Sequence, residues 1–329
     1  MLTTLLLPSL LLIIGLALLV WSSDVFIDGA ASTAKHLSIS PLVIGVVVLG
    51  FGTSMPEVVV ATLASLDNSP GLAIGNAVGS NIANIGLVLG FTALIAPIVV
   101  KSSILKRELP VLLAISIGAY LLVLDGHLGF YDGIILVIAL VAVMGWMIKA
   151  NKSLDPKDPL VDDTKHELEE MPELTKNKAL LFLVVGLVIL MISAKMMVSG
   201  AVDIANYFEV PEVVIGLTII AIGTSLPELA AAISAARKNE ADLMIGNIVG
   251  SNLFNILAVL AVPALLAPSL LDSSVLYLDM PIMLGFTLAM LLMAIPRKGK
   301  AVIQRSQGIL LVLLFIAFLI LLYFRSIAV

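Results

Sequence analysis

The chain has no cysteine among its 329 residues and only three histidines. Disulfides and thiolate metal sites are therefore excluded. His36, His127 and His166 all fall at or near loops, so a histidine-rich zinc or haem centre has nowhere to form. Charge is scarce as well. Asp, Glu, Lys and Arg make up 12% of the residues, about half the share of a soluble domain. Apolar residues fill the difference: they are 60% of the chain, and the mean hydropathy is +1.15. A soluble fold is excluded, and a polytopic membrane protein is implied. The net charge of -5 says little about partners, because most charges sit in one loop; no nucleic-acid partner is expected, and no obligate protein partner is evident.

Apolar runs of about 20 residues or more, enough to cross a bilayer, recur at 5–33, 40–66, 71–97, 103–124, 129–149, 178–206, 211–236, 242–267, 274–295 and 306–324. Ten spans are expected. The first run, MLTTLLLPSLLLIIGLALLVW, lacks the positive n-region of a signal peptide and reads as a retained helix. The positive-inside rule sets orientation. With the N-terminus outside, 16 of the 18 basic residues fall on inside segments. The exceptions are Lys195, within a span, and Arg325, in the outer tail. The reading is a cell (inner) membrane protein with both termini outside and the polar segment 151–177 cytoplasmic. Within that segment DPKDPLVDD lacks the glycine and closing glutamate of an EF-hand loop, so it reads as a solvated linker between the halves 1–150 and 178–329.

The halves align at a constant offset of 171 residues. Residues 43–57 and 214–228 share 8 of 15 positions, including Gly52, Thr53, Ser54, Pro56 and Glu57. GNAVGSNIAN at 75–84 and GNIVGSNLFN at 246–255 share 7 of 10. Gly15 and Gly29 fall opposite Gly186 and Gly200. This is an internal duplication. Five spans per half is odd, so the halves must insert with opposite orientation. The expected fold is an all-α bundle of ten transmembrane helices in two inverted five-helix repeats, an architecture of secondary transporters with the site at the midplane.

The duplicated motif puts Glu57 and Glu228 near the middle of the second and seventh spans. A carboxylate in hydrocarbon costs several kcal/mol unless protonated or paired. No Lys or Arg lies in the second, third, seventh or eighth span except Arg237 at one end, so the partner is expected to be a cation from outside the chain. Pro56 and Pro227 lack an N–H and free the carbonyls of Gly52 and Gly223, supplying further oxygen. Thr53 and Glu57 share a helix face. Asn76, Ser80 and Asn84 form one polar stripe, and Asn247, Ser251 and Asn255 repeat it. Gly75 with Gly79, and Gly246 with Gly250, form GxxxG pairs that permit close helix approach. Every candidate ligand is an oxygen, which favours Na⁺ or Ca²⁺ over zinc, copper or iron. Two carboxylates balance one Ca²⁺ or two Na⁺. Asp24 and Lys195 occupy equivalent places; Asp24 is expected to face headgroups and Lys195 to snorkel or pair with Asp203.

At these motifs the chain resembles the calcium/cation antiporter superfamily, and within it the sodium/calcium exchangers, particularly small prokaryotic members. GTSMPE with GNAVGSNIAN is similar to their first alpha-repeat (about 40–97), and GTSLPE with GNIVGSNLFN to their second (about 211–267). The resemblance implies an ion site of Glu57 and Glu228 with Thr53, Ser54, Ser80 and Asn84 from one half and Thr224, Ser225, Ser251 and Asn255 from the other. It adds the carbonyls of Gly50 and Ala221. It implies no cofactor and no enzyme activity, only transported Na⁺ and Ca²⁺ in a lipid bilayer, with the first and sixth helices sliding over the rest. A proton/cation antiporter on the same fold is the alternative, but the GNxxE motif of proton/calcium exchangers is missing; a channel suits inverted broken helices less well. The chain departs from the family at Asn255, where the second repeat usually carries aspartate.

Overall fold

A computed structural model describes residues 2–37, 41–100, 107–152, 174–208, 221–296 and 301–327. It is a helical bundle. The first half contains α1 (Leu2–Leu37), α2 (Gly45–Thr53), α3 (Met55–Leu66), α4 (Pro70–Ile95), α5 (Glu108–Leu122) and α6 (Phe130–Lys152). The second contains α7 (Lys176–Tyr207), α8 (Ala221–Thr224), α9 (Leu226–Arg237), α10 (Ala241–Leu266), α11 (Val275–Ala294) and α12 (Arg305–Ile327). Among the described residues, seven helices are long and apolar enough to cross a membrane, and eight if the bent pair α2–α3 is one span. Ten were expected. The other two expected spans coincide with α5, which has 15 residues, and with α8–α9; both begin at an edge of the described residues. Most of the expected linker lies outside the described residues, although α6 runs on to Lys152 and α7 starts at Lys176, inside its expected bounds.

Burial separates two layers. In α4 and α10, 72% and 83% of the most apolar window is buried, against 22% in α1 and 28% in α7. The first pair therefore forms the centre. The second pair presents Leu6, Ile13, Leu181 and Ile192 outward, as lipid-facing helices do.

Helices α1 and α7 pack along each other and run antiparallel: Gly15 faces Met197, Phe26 faces Gly186, Gly29 faces Leu183 and Leu12 faces Gly200. As the number rises along α1 it falls along α7. The four glycines aligned by the repeat are the contact points, because a side chain there would strike the facing backbone. A Cβ on Gly29 would lie 2.9 Å from the Ala179 carbonyl oxygen. Gly29→Val is therefore expected to destabilise the protein by about 1–3 kcal/mol, read as a lower thermal midpoint in detergent. Gly118→Ala, with no described atom within 4 Å of the new carbon, should cause no loss.

Two short ladders tie the halves together. β1 (Ile98–Val99) pairs antiparallel with β4 (Val302–Ile303), and β2 (His127–Leu128) with β3 (Ser269–Leu270). The end of α4 is thereby fixed beside the start of α12, and the start of α6 beside the end of α10.

Candidate cation site

The duplicated motif breaks its helix in the same way twice. Ser54 (φ -85°, ψ 6°) separates α2 from α3, and Ser225 (φ -88°, ψ 4°) separates α8 from α9. The next residue but one is Pro56 or Pro227, which cannot donate to the preceding turn. The axis bends by 47° between α2 and α3. Each new helix then carries its glutamate in the first turn, where the positive end of the helix dipole favours an anion.

The halves interlock around these breaks. Glu57 and Glu228 are both fully buried and within electrostatic range of each other. Ser54 Oγ donates to Glu228 Oε1 across the halves at 3.2 Å. Thr53 Oγ1 lies 3.1 Å from Asn247 Oδ1 and 3.2 Å from Ser251 Oγ. Ser251 Oγ reaches the Gly50 carbonyl at 3.5 Å, so that carbonyl belongs to the cluster. Gly52 and Gly223 instead face α7: a Cβ on them would meet Leu187 and Val198. Thr224, half-buried, lines one cavity with Gly79 and Ser80 of α4. Ala221 opens α8 at an edge of the described residues.

Asn76 and Asn247 have a role that the polar stripes did not reveal. Asn76 Nδ2 donates to the Glu57 carbonyl at 3.1 Å, and Asn247 Nδ2 to the Glu228 carbonyl at 3.4 Å. They hold the backbone of each glutamate against the neighbouring helix. Asn84 and Asn255 each start a π-helical stretch, Asn84–Leu89 and Asn255–Val259. A π turn in an α-helix is frequent at functional sites; here it recurs at the repeat offset.

Much of the polar chemistry at this place has no partner within the protein. Both Glu57 carboxylate oxygens, Glu228 Oε2, both ends of the Asn84 and Asn255 amides, and Ser225 Oγ are buried without a hydrogen bond. Buried polar atoms of this kind are normally satisfied. No basic side chain pairs with either glutamate among the described residues; Lys238 pairs instead with Asp28 and Arg325 with Asp279. Among the described residues no more than two carboxylates come together here, so the remaining donors are hydroxyl, amide and carbonyl oxygens, a set suited to hard cations.

Comparison with known proteins fits this donor set. The sodium/calcium exchanger protein family matches residues 7–149 and 178–324. The chain is a sodium/calcium exchanger family member. It is 41% identical to the inner membrane protein YrbG of Escherichia coli K12, covering 98% of both chains. It is 30% identical to the sodium/calcium exchanger MaX1 of Methanosarcina acetivorans, over 96% of this chain and 98% of that one. Among solved structures it superposes on the sodium-calcium exchanger NCX_Mj, soaked with Na⁺ and Sr²⁺, with a TM-score of 0.82, 34% identity, and 95% and 97% of the two chains covered. The exchanger is thus a membrane protein of a family of cation antiporters.

Of the two expected GxxxG contacts in the exchanger, one falls wholly on described residues. Gly250 packs on the backbone of Val46, and a Cβ on Gly45 would lie 2.9 Å from Gly246 Cα, whereas nothing described lies within 4 Å of a Cβ at Gly75 or Gly79. Their counterpart of the Gly45–Leu49 segment is 216–220, outside the described residues. Asp24 does not face headgroups alone: Ser234 Oγ donates to its Oδ1 at 2.5 Å. Lys195 and Asp203 are both exposed, and no ion pair joins them among the described residues; an exposed Lys195 fits the snorkelling alternative. The partner of Asp24 comes from a distant helix that local spacing does not identify.

Proposed function

We propose that the chain is a sodium-driven calcium antiporter working by alternating access. Its ion site is formed by Glu57 and Glu228 with Thr53, Ser54, Ser80, Asn84 and the Gly50 carbonyl, and by Thr224, Ser225, Ser251, Asn255 and the Ala221 carbonyl. The observation that carries this reading is the set of buried carboxylate oxygens of Glu57 and Glu228 that lack a hydrogen bond and pair with no cationic side chain among the described residues. Two negative charges in a low-dielectric interior demand neutralisation. One Ca²⁺ or two Na⁺ supplies it, and an empty site resists crossing, which is what couples the two fluxes.

The halves are read as inverted five-helix repeats with sites for both ions at their interface. Support comes from the antiparallel packing of the repeat-related α1 and α7 and from the symmetric breaks at Ser54 and Ser225. These two peripheral helices are the ones read as sliding over the core. Both termini are read as outside, with the 151–177 linker cytoplasmic. The ladders agree with that topology, since it puts 98–99 and 302–303 on one side and 127–128 and 269–270 on the other.

The test is ⁴⁵Ca²⁺ uptake into proteoliposomes loaded with Na⁺ and diluted into Na⁺-free buffer. Uptake should follow the outward sodium gradient and vanish when Na⁺ is equal on both sides. Uptake driven by a proton gradient alone would overturn the sodium reading in favour of proton coupling.

A further inference from the structure

Away from the carboxylates, one polar cluster joins a peripheral helix to the core. Ser234 Oγ donates to Asp24 Oδ1 at 2.5 Å. Lys238 Nζ donates to the Asp24 carbonyl at 3.0 Å and to Asp28 Oδ1 at 2.6 Å. Asp24 and Asp28 are on α1; Ser234 is on α9, and Lys238 is the residue that ends it. The cluster therefore fastens α1 to one end of α9, along which it also packs.

The repeat offset of 171 maps Asp24 onto Lys195 and Lys238 onto Asp67. Lys195 lies on α7, and Asp67 is the residue that ends α3. The related place thus carries one acid and one base with their signs exchanged: acid on α1 and base after α9 become base on α7 and acid after α3. The rest of the cluster is not repeated, since Asp28, which forms the ion pair with Lys238, falls opposite Ser199 and Ser234 falls opposite Leu63. In this structure the second pair is apart: Lys195 and Asp67 are both exposed, no ion pair joins them among the described residues, and α7 makes no packing with α3 comparable to that of α1 with α9.

In a carrier built from inverted repeats, the opposite state is reached when the halves exchange conformations. A contact that the second half's core makes with α1 in one state is then made by the first half's core with α7 in the other. The geometry points to a two-ended electrostatic latch: Lys238 with Asp28 closes one face in the present state, and Lys195 with Asp67 closes the opposite face in the alternate state. This rests on the alternating-access reading above. The closed pair is about one-third exposed, with side-chain exposures of 28% and 33%. Ion pairs so placed shift an equilibrium by about two- to five-fold. That biases access without trapping the carrier, as a fully buried pair would.

The natural absence of cysteine makes the latch testable by cross-linking. Asp28→Cys/Lys238→Cys and Asp67→Cys/Lys195→Cys are treated in proteoliposomes with a flexible bifunctional thiol reagent. Both pairs should cross-link, and either cross-link should stop ⁴⁵Ca²⁺ exchange. Adding Lys238→Gln to the 67/195 pair should raise its cross-linking rate about two- to five-fold, and Lys238→Arg should not. Adding Lys195→Gln to the 28/238 pair should raise that rate similarly. Failure of the 67/195 pair to cross-link under any Na⁺ or Ca²⁺ condition overturns the latch, as do rates unmoved by either Gln substitution while both cross-links still stop exchange. Continued exchange by protein cross-linked at 28/238 overturns the sliding reading itself.

Discussion

Glu57→Gln and Glu228→Gln should each lower calcium exchange at least about 100-fold. Each change removes one of the two negative charges at a fully buried place. A buried ion that loses one charged partner is destabilised by about 3–5 kcal/mol, and each 1.4 kcal/mol is tenfold. A purely structural glutamate would act differently on stability. In cation-free buffer the Gln variants should be as stable as wild type or more so, because an unpaired buried charge has been removed. The rise in thermal midpoint that Ca²⁺ produces in wild type should disappear, since a ligand stabilises only a protein that binds it. Full exchange by either variant would remove these residues from the site.

Asn255→Asp has the opposite sign for binding. In the proposed site it adds a third carboxylate to Glu57 and Glu228, at a position where both amide ends lack a hydrogen bond. A charged partner contributes about 1.5–3 kcal/mol, so the dissociation constant for Ca²⁺ should fall about 10- to 150-fold in isothermal titration. The cation-free protein should lose thermal stability, because three carboxylates then repel one another without water. Asn84→Asp, at the repeat-related position, should do the same. Unchanged calcium affinity in both would place these asparagines outside the ion's reach.

The candidate site was legible because its signals are local. A carboxylate in an apolar run, followed by its copy 171 residues on, is improbable unless something neutralises it. Pro56 and Pro227 break their helices for a reason contained in the residue itself. The Gly50 carbonyl came from family resemblance, whereas proline chemistry alone pointed two residues further on, to Gly52, which faces α7. The fold was legible in the positions of its apolar runs and less so in its irregular backbone. The π stretches that begin at Asn84 and Asn255 have no composition cue, since a widened turn is stabilised by what packs beside it.

By itself, then, the sequence determined that this chain lies in a membrane, that it is duplicated, and that two carboxylates sit where hydrocarbon would otherwise be. Hydropathy, repeat offset and the cost of burying charge are properties of short stretches. Only the tertiary structure decided which groups meet. Ser54 reaches Glu228 and Thr53 reaches Ser251, each from the other half of the chain. It also decided that Lys238 holds Asp28 while Lys195 stands apart from Asp67. Such choices depend on how helices far apart in sequence are set against each other, and no local pattern encodes that.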